Sequence, residues 1–299
     1  MPMFDLAFLL APTFAMFFLG VLLRRTSVLD DRDADTLLKL VFNLTLPALL
    51  LSVLPSVELN SKLLLVALIS TLIILLTLPA AMLAGKVTGM KPQTSAVLVS
   101  GSIIMNLGFV MPFVQSFYGD EGLARLFIFD IPNGLSAYTI AWAFACRSGN
   151  NPQHCLNGKL FKSPPLLALV LALTMNALSL RPELLTAKIL LTTGTLTIPL
   201  VLLALGASFS IKKANPLHLG VGIALRMLLG LSLGLWLADL FNISGVDRAV
   251  VVLCASAPAG FNTLTFASVE KLDREYAASL VAACMIASMV LIPILLTTL

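Results

Sequence analysis

From Leu63 to Ala84 the chain runs for 22 residues without a charged side chain. A helix crossing the bilayer's hydrocarbon core needs about 20 apolar residues, at 1.5 Å of rise each. Segments of this kind recur along the whole chain, each bounded by charge, Gly, Pro or Asn. They cover 4–23, 36–55, 62–84, 93–117, 123–145, 161–180, 184–207, 216–240, 246–268 and 276–298. Charged residues make up only 11% of the 299, against about 25% in ordinary soluble domains. So little polar surface excludes a cytosolic enzyme, a nucleic-acid binder and a disordered chain. The expectation is an all-α polytopic membrane protein with ten transmembrane helices.

The net charge of +4 comes without a basic cluster, since nothing exceeds the pairs Arg24-Arg25 and Lys212-Lys213. No nucleic-acid partner is expected. Cys146, Cys155, Cys254 and Cys284 show no CxxC spacing, so neither a disulfide framework nor a metal site is expected. No HExxH, Walker A or GxSxG pattern occurs, which argues against an enzyme and against a bound cofactor. The first residues, MPMFD, lack the basic region of a cleavable signal, so the first apolar run reads as a retained span. Loops after odd-numbered spans hold 12 Lys and Arg and those after even-numbered spans hold 5. The positive-inside rule then puts the loop between helices 5 and 6 in the cytoplasm and both termini outside. A multi-pass location in the inner (plasma) membrane follows.

The polar linker at 148–160 divides the chain into repeats at 1–147 and 161–299. Five spans per half make the second repeat inverted relative to the first. Two matches support duplication: NLTLPALLL (Asn43–Leu51) with TLTIPLVLL (Thr195–Leu203), and AVLV (Ala96–Val99) with AVVV (Ala249–Val252).

Polar groups inside the spans carry the functional information, because each is costly to hold in hydrocarbon. Span 4 contains Asn106, Gly108 and Pro112 near its middle, and span 9 contains Pro258, Gly260 and Asn262. Proline removes a backbone donor and glycine tolerates non-helical angles, so both spans are expected to be interrupted. Interrupted helices in matching positions of two inverted halves point to a transporter's midplane site. Arg226, central in span 8, could hold an anionic substrate or pair with a protein acid. Asp130, followed by Pro132 and Asn133, could be that counter-charge, a direct transport residue or a proton carrier. Asn43, Thr45 and Pro47 give span 2 a polar notch, read as helix packing before ligand contact. Asn176 and His218 read as interfacial.

FNLTLPALLLSV, NLGFVMP, PLVLLALGASFS, the arginine of ALRMLLG and SAPAGFN together resemble the auxin efflux carrier family over essentially the full length. The short middle loop is similar to its bacterial malate and malonate permease-like branch. The resemblance implies two inverted five-helix repeats, with scaffold helices within 4–55 and 161–207 and transport helices within 62–145 and 216–298. It implies that broken helices 4 and 9 cross where small organic anions bind. Asn106 and Pro112 match the family's span 4 motif and Pro258 its span 9 motif, whereas Gly230 departs from the usual residue after the span 8 arginine. The expected partners are a small organic anion, a coupling proton or sodium ion, the lipid bilayer, and a second copy joined through scaffold helices.

The expected function is secondary transport of a mono- or dicarboxylate or auxin-like acid by alternating access. One rival is a sodium-coupled symporter of the bile-acid type, against which the absence of any Glu inside a span counts. The other is a non-transporting membrane receptor or scaffold, which would need a longer soluble segment than any loop here supplies.

Overall fold

The computed structural model describes residues 3–57, 62–149, 164–210, 212 and 214–299. Of the expected linker, residues 150–160 lie outside these, Cys155 and Lys159 among them. So does the start of the sixth apolar segment. Among the described residues there is no β-strand; one isolated antiparallel bridge joins Met105 to Ala259.

The chain opens with α1 (Met3–Arg25), closed by two cations that suit the negative end of its dipole. Next comes α2 (Asp31–Leu40), started by a capping box in which Asp30 accepts from the Arg32 and Asp33 amides and Asp33 accepts in return. A π-helical turn, Val41–Thr45, leads into α3 (Leu46–Val53). The turn has a direct cause: Pro47 has no N–H for the Asn43 carbonyl, and the Leu46 amide reaches back to Val41 instead. After it come α4 (Lys62–Val87), α5 (Pro92–Ile103), α6 (Leu107–Ser136), a second π turn at Ala137–Ala141, and α7 (Trp142–Ser148).

The remainder comprises α8 (Pro164–Ala177), α9 (Leu184–Gly194), α10 (Thr197–Ala207) and α11 (Pro216–Ile223). A third π turn, Ala224–Leu229, carries Arg226 and precedes α12 (Gly230–Leu240), α13 (Gly245–Ala255), α14 (Asn262–Val269) and α15 (Arg274–Thr298). Five helical stretches among the described residues are long and apolar enough to cross a bilayer: 32–56, 63–87, 184–207, 216–240 and 274–298. At 12 and 11 residues, α5 and α13 are each too short to do so alone.

Within α6 the chain turns at Gly119, whose φ of 55° and ψ of −150° are open essentially to glycine alone. The turn joins the expected spans 4 and 5 as a hairpin. Arg125 lies in the second leg, buried and 2.9 Å from Glu121.

Two compact units emerge. The first comprises residues 1–60, 111–127 and 158–209. Its α1 and α10 approach closely because Gly20 and Gly206 face each other's backbones. A methyl group on Gly20 would strike the Leu203 carbonyl, and one on Gly206 the Phe17 carbonyl. Gly194 serves α3 and α9 alike, since its Cβ would stand 2.8 Å from Leu49 Cα. Small residues are the usual means of bringing membrane helices into contact. Asn176 ties the end of α8 down, its amide donating to the Leu54 and Val57 carbonyls at 2.7 Å each. Of the expected notch, Asn43 is exposed and donates to the Lys39 carbonyl, while Thr45 is buried.

The second unit comprises residues 61–110, 128–157 and 210–299. From Ala96 to Ile103 every residue of α5 is buried, as is Ala249–Ala255 of α13. Helices apolar on all sides belong inside a packed bundle. Here they pack against α4, α12 and α15.

Candidate functional site

Both expected interruptions exist, and they meet within the second unit. The first break spans Ile104–Asn106 and the second Ser256–Phe261. Across them the Asn106 amide donates to the Pro258 carbonyl at 2.9 Å, and the Gly260 amide donates to the Ile104 carbonyl at 2.9 Å. The freed backbone groups thus satisfy one another, as buried peptide groups must. Pro258 contributes a carbonyl but no donor. Gly260 is required sterically, because a Cβ there would collide with the Ile104 side chain.

Met105 sits between two partners. On one side is the bridge to Ala259; on the other, Asn133 accepts from the Met105 amide at 2.9 Å and donates to its carbonyl at 3.0 Å. A side-chain amide can imitate a neighbouring strand in this way, offering one acceptor and two donors. Its second donor reaches the Asp130 carboxylate at 2.8 Å. Asp130 is thereby linked to the break through Asn133.

Of the roles left open for Asp130, the pairing with Arg226 is not formed. Arg226 has no exposed surface, and its guanidinium donates to three carbonyls: Ala257 at 3.0 Å, Ser102 at 2.8 Å and Ala255 at 2.5 Å. Ser102 and Ala255 lie in the last turns of α5 and α13, where carbonyls have no intrahelical partner. The sequence left a substrate anion or a protein acid open as its partner, because nothing in it shows where helix ends converge.

Asn106 caps α6, its Oδ1 accepting from the Phe109 amide at 3.2 Å. The residue is 7% exposed, and its Nδ2 is buried without a hydrogen-bond partner. The hydroxyls of Ser102 and Thr263 are likewise buried and unpartnered. At the second break, Asn262 opens α14 without capping it and lies beside the Tyr138 hydroxyl. Phe266 on α14 packs edge-on against Tyr138 and Trp142, with ring centres 6.0 and 5.0 Å away.

Asn106, Asn133, Arg226, Pro258 and Gly260 therefore share one site, with Asp130 attached through Asn133. Gly108 and Pro112 do not form the break; both lie inside α6, because the Asn106 cap starts the helix ahead of them. Pro112 instead lines a cavity of about 340 Å³ in the first unit, together with Pro12, Met16, Val53 and Pro199. Tyr138, Trp142 and Phe266 were not singled out from sequence, and an aromatic pair one turn apart facing a lone Phe leaves no distinguishing pattern.

The arrangement is electrostatically polar. The C-terminal ends of α5 and α13 carry partial negative charge and are occupied by the guanidinium, while α6 and α14 begin at the breaks with partial positive charge. Half-helix N-termini of this kind suit the carboxylate of an anionic solute.

Comparison with known proteins agrees. A family model described as "Membrane transport protein" matches residues 6–296. An uncharacterized transporter of Methanothermobacter thermautotrophicus is 25% identical over 281 residues, 92% of each chain. Another, from Methanocaldococcus jannaschii, is 27% identical over 209 residues, 67% of each. A transporter-family match running almost end to end, on a chain with several helices long and apolar enough to cross a membrane among its described residues, shows that this chain belongs to the auxin efflux carrier family of membrane transport proteins.

Proposed function

We propose that the chain is a secondary transporter for a small organic anion, with a carboxylate bound where the two broken helices cross. The observation that carries this reading is the Asn106 Nδ2, a buried donor with no partner at the start of α6. Leaving such a donor empty in a low-dielectric interior costs about 1–3 kcal/mol, and an acceptor oxygen recovers it. Asn262 is the corresponding donor on α14, and Asp130 is the coupling position, acting on the break through Asn133. Pro258 and Gly260 shape the crossing rather than contact solute.

In this reading the first unit is a static scaffold and the second moves as the transport body. The chain has ten spans in two inverted five-helix repeats. Pro47 and Pro199 support the duplication, since each loosens its helix four residues upstream, at Asn43 and Thr195, 152 residues apart. The protein lies in the inner membrane with both termini outside, and pairs with a second copy through its scaffold helices.

The test is uptake of radiolabelled mono- and dicarboxylates into proteoliposomes. Flux of at least one acid above protein-free vesicles is expected, and Asn106→Ala should abolish it while expression and elution profile stay unchanged. Undiminished flux in that variant, or no flux of any acid in the wild type, overturns the reading.

A further inference from the structure

Arg226 is the only buried Lys or Arg among the described residues of the second unit, and its charge is spent on carbonyls. The chain makes specific room for this. A Cβ on Gly230, one turn beyond Arg226, would stand 2.5 Å from the Ala255 carbonyl oxygen and 2.7 Å from the guanidinium. Gly234, one turn further, would press a Cβ 2.5 Å from that of Ala255. The two glycines form a Gly-x-x-x-Gly face along which the end of α13 approaches α12. The π turn at Ala224–Leu229 carries Arg226 where the helix is locally widened.

Each C-terminus carries about half a negative elementary charge and each N-terminus about half a positive one. One guanidinium cancels the ends of α5 and α13. The starts of α6 and α14 then remain, together worth about one positive charge when Asp130, bonded to Asn133 at the same site, carries its proton. We propose that Arg226, seated by Gly230, is a positioning residue that neutralises the two half-helix C-termini, so that the crossover accepts a single carboxylate and selects monocarboxylates. A second carboxylate would meet no other buried Lys or Arg among the described residues of this unit. The choice of substrate rests on the crossover being the anion site; the positioning role does not.

The experiment uses the full chain in detergent, as wild type, Arg226→Lys and Gly230→Ala. The second variant keeps the cation and only displaces its seat. Hydrogen exchange is followed, without ligand, in peptides covering Ile104–Asn106 and Ala257–Gly260. Binding of propionate and of malonate at pH 7.5 is measured in parallel. Both variants should exchange at least tenfold faster at these breaks, and wild type should bind propionate at least tenfold more tightly than malonate. Unchanged exchange in both variants with weakened propionate binding would mean that Arg226 touches the anion, and would overturn the positioning role. Tighter malonate binding would overturn the monocarboxylate preference. Faster exchange with neither acid bound would uphold the positioning role and remove the anion-site reading on which the preference rests.

Discussion

The break between α5 and α6 is three residues long and held by side-chain amides, whereas that between α13 and α14 is six residues long, held at Ala257 by the Arg226 guanidinium and from there into α14 by backbone and rings. Asn133 clips Met105 on both of its polar groups, and Asn106 caps the helix that follows. The second break has no side-chain cap; Phe266 anchors α14 against Tyr138 and Trp142. Hydrogen bonds fix direction and distance, while ring contacts tolerate sliding. The first break is thus the rigid member of the pair, and the second is adjustable where it enters α14. Two segments that read alike in sequence divide the work of holding and adapting.

The largest expected effect tests the rigid member. Asn133→Ala strips the Met105 amide and carbonyl of their buried partners and should lower stability by about 3 kcal/mol, measured by chemical denaturation in detergent. A loss no greater than that of an exposed substitution would mean that Asn133 does not hold the break. Next in size, Asn106→Ala removes one cap and should cost about 1 kcal/mol, far less than its effect on flux. A smaller change is expected at the adjustable break. Asn262 caps nothing and Asn262→Ala loses only the bond to the Tyr138 hydroxyl, so it should cost less than Asn106→Ala, about 0.5 kcal/mol, yet slow transport about tenfold. Stability equal to that of Asn106→Ala would erase the distinction between the breaks.

The smallest effect comes from acid and uses the start of α2 as a reference. The Asp33 and Arg32 amides hold the Asp30 carboxyl below its ordinary value of 3.8. A depressed carboxyl contributes stability above its unfolded pKa and loses it as pH falls through the folded one. Exchange at the first turn of α2 should therefore rise below about pH 4. The neutral Asn106 cap of α6 should show no such transition.

The sequence announced where helices would fail, because Pro258, Gly260 and Asn106 act on their own neighbourhoods. It also marked Asn133 and Arg226 as costly residues that had to face something. It could not show what they face: Asn133 closes on Met105 28 residues back, and Arg226 on Ser102 124 residues back. Such partners are set by packing, not by spacing. Gly230 was visible as an oddity, and only the closeness of the Ala255 carbonyl explains it. Pro112 was misread because proline usually marks a break, whereas here the Asn106 cap comes first and the proline lies within the new helix. Nor did any composition change foretell that 111–127 would cluster with the first unit.

The facing glycines of α1 and α10 bear on synthesis. Gly20 leaves the ribosome 186 residues before Gly206, a wait of roughly 10–40 s at about 5–20 residues per second. Throughout that interval the notch on the first span stands open to lipid or to whatever insertion machinery attends the nascent chain. The tightest joint in the first unit is consequently among the last to close.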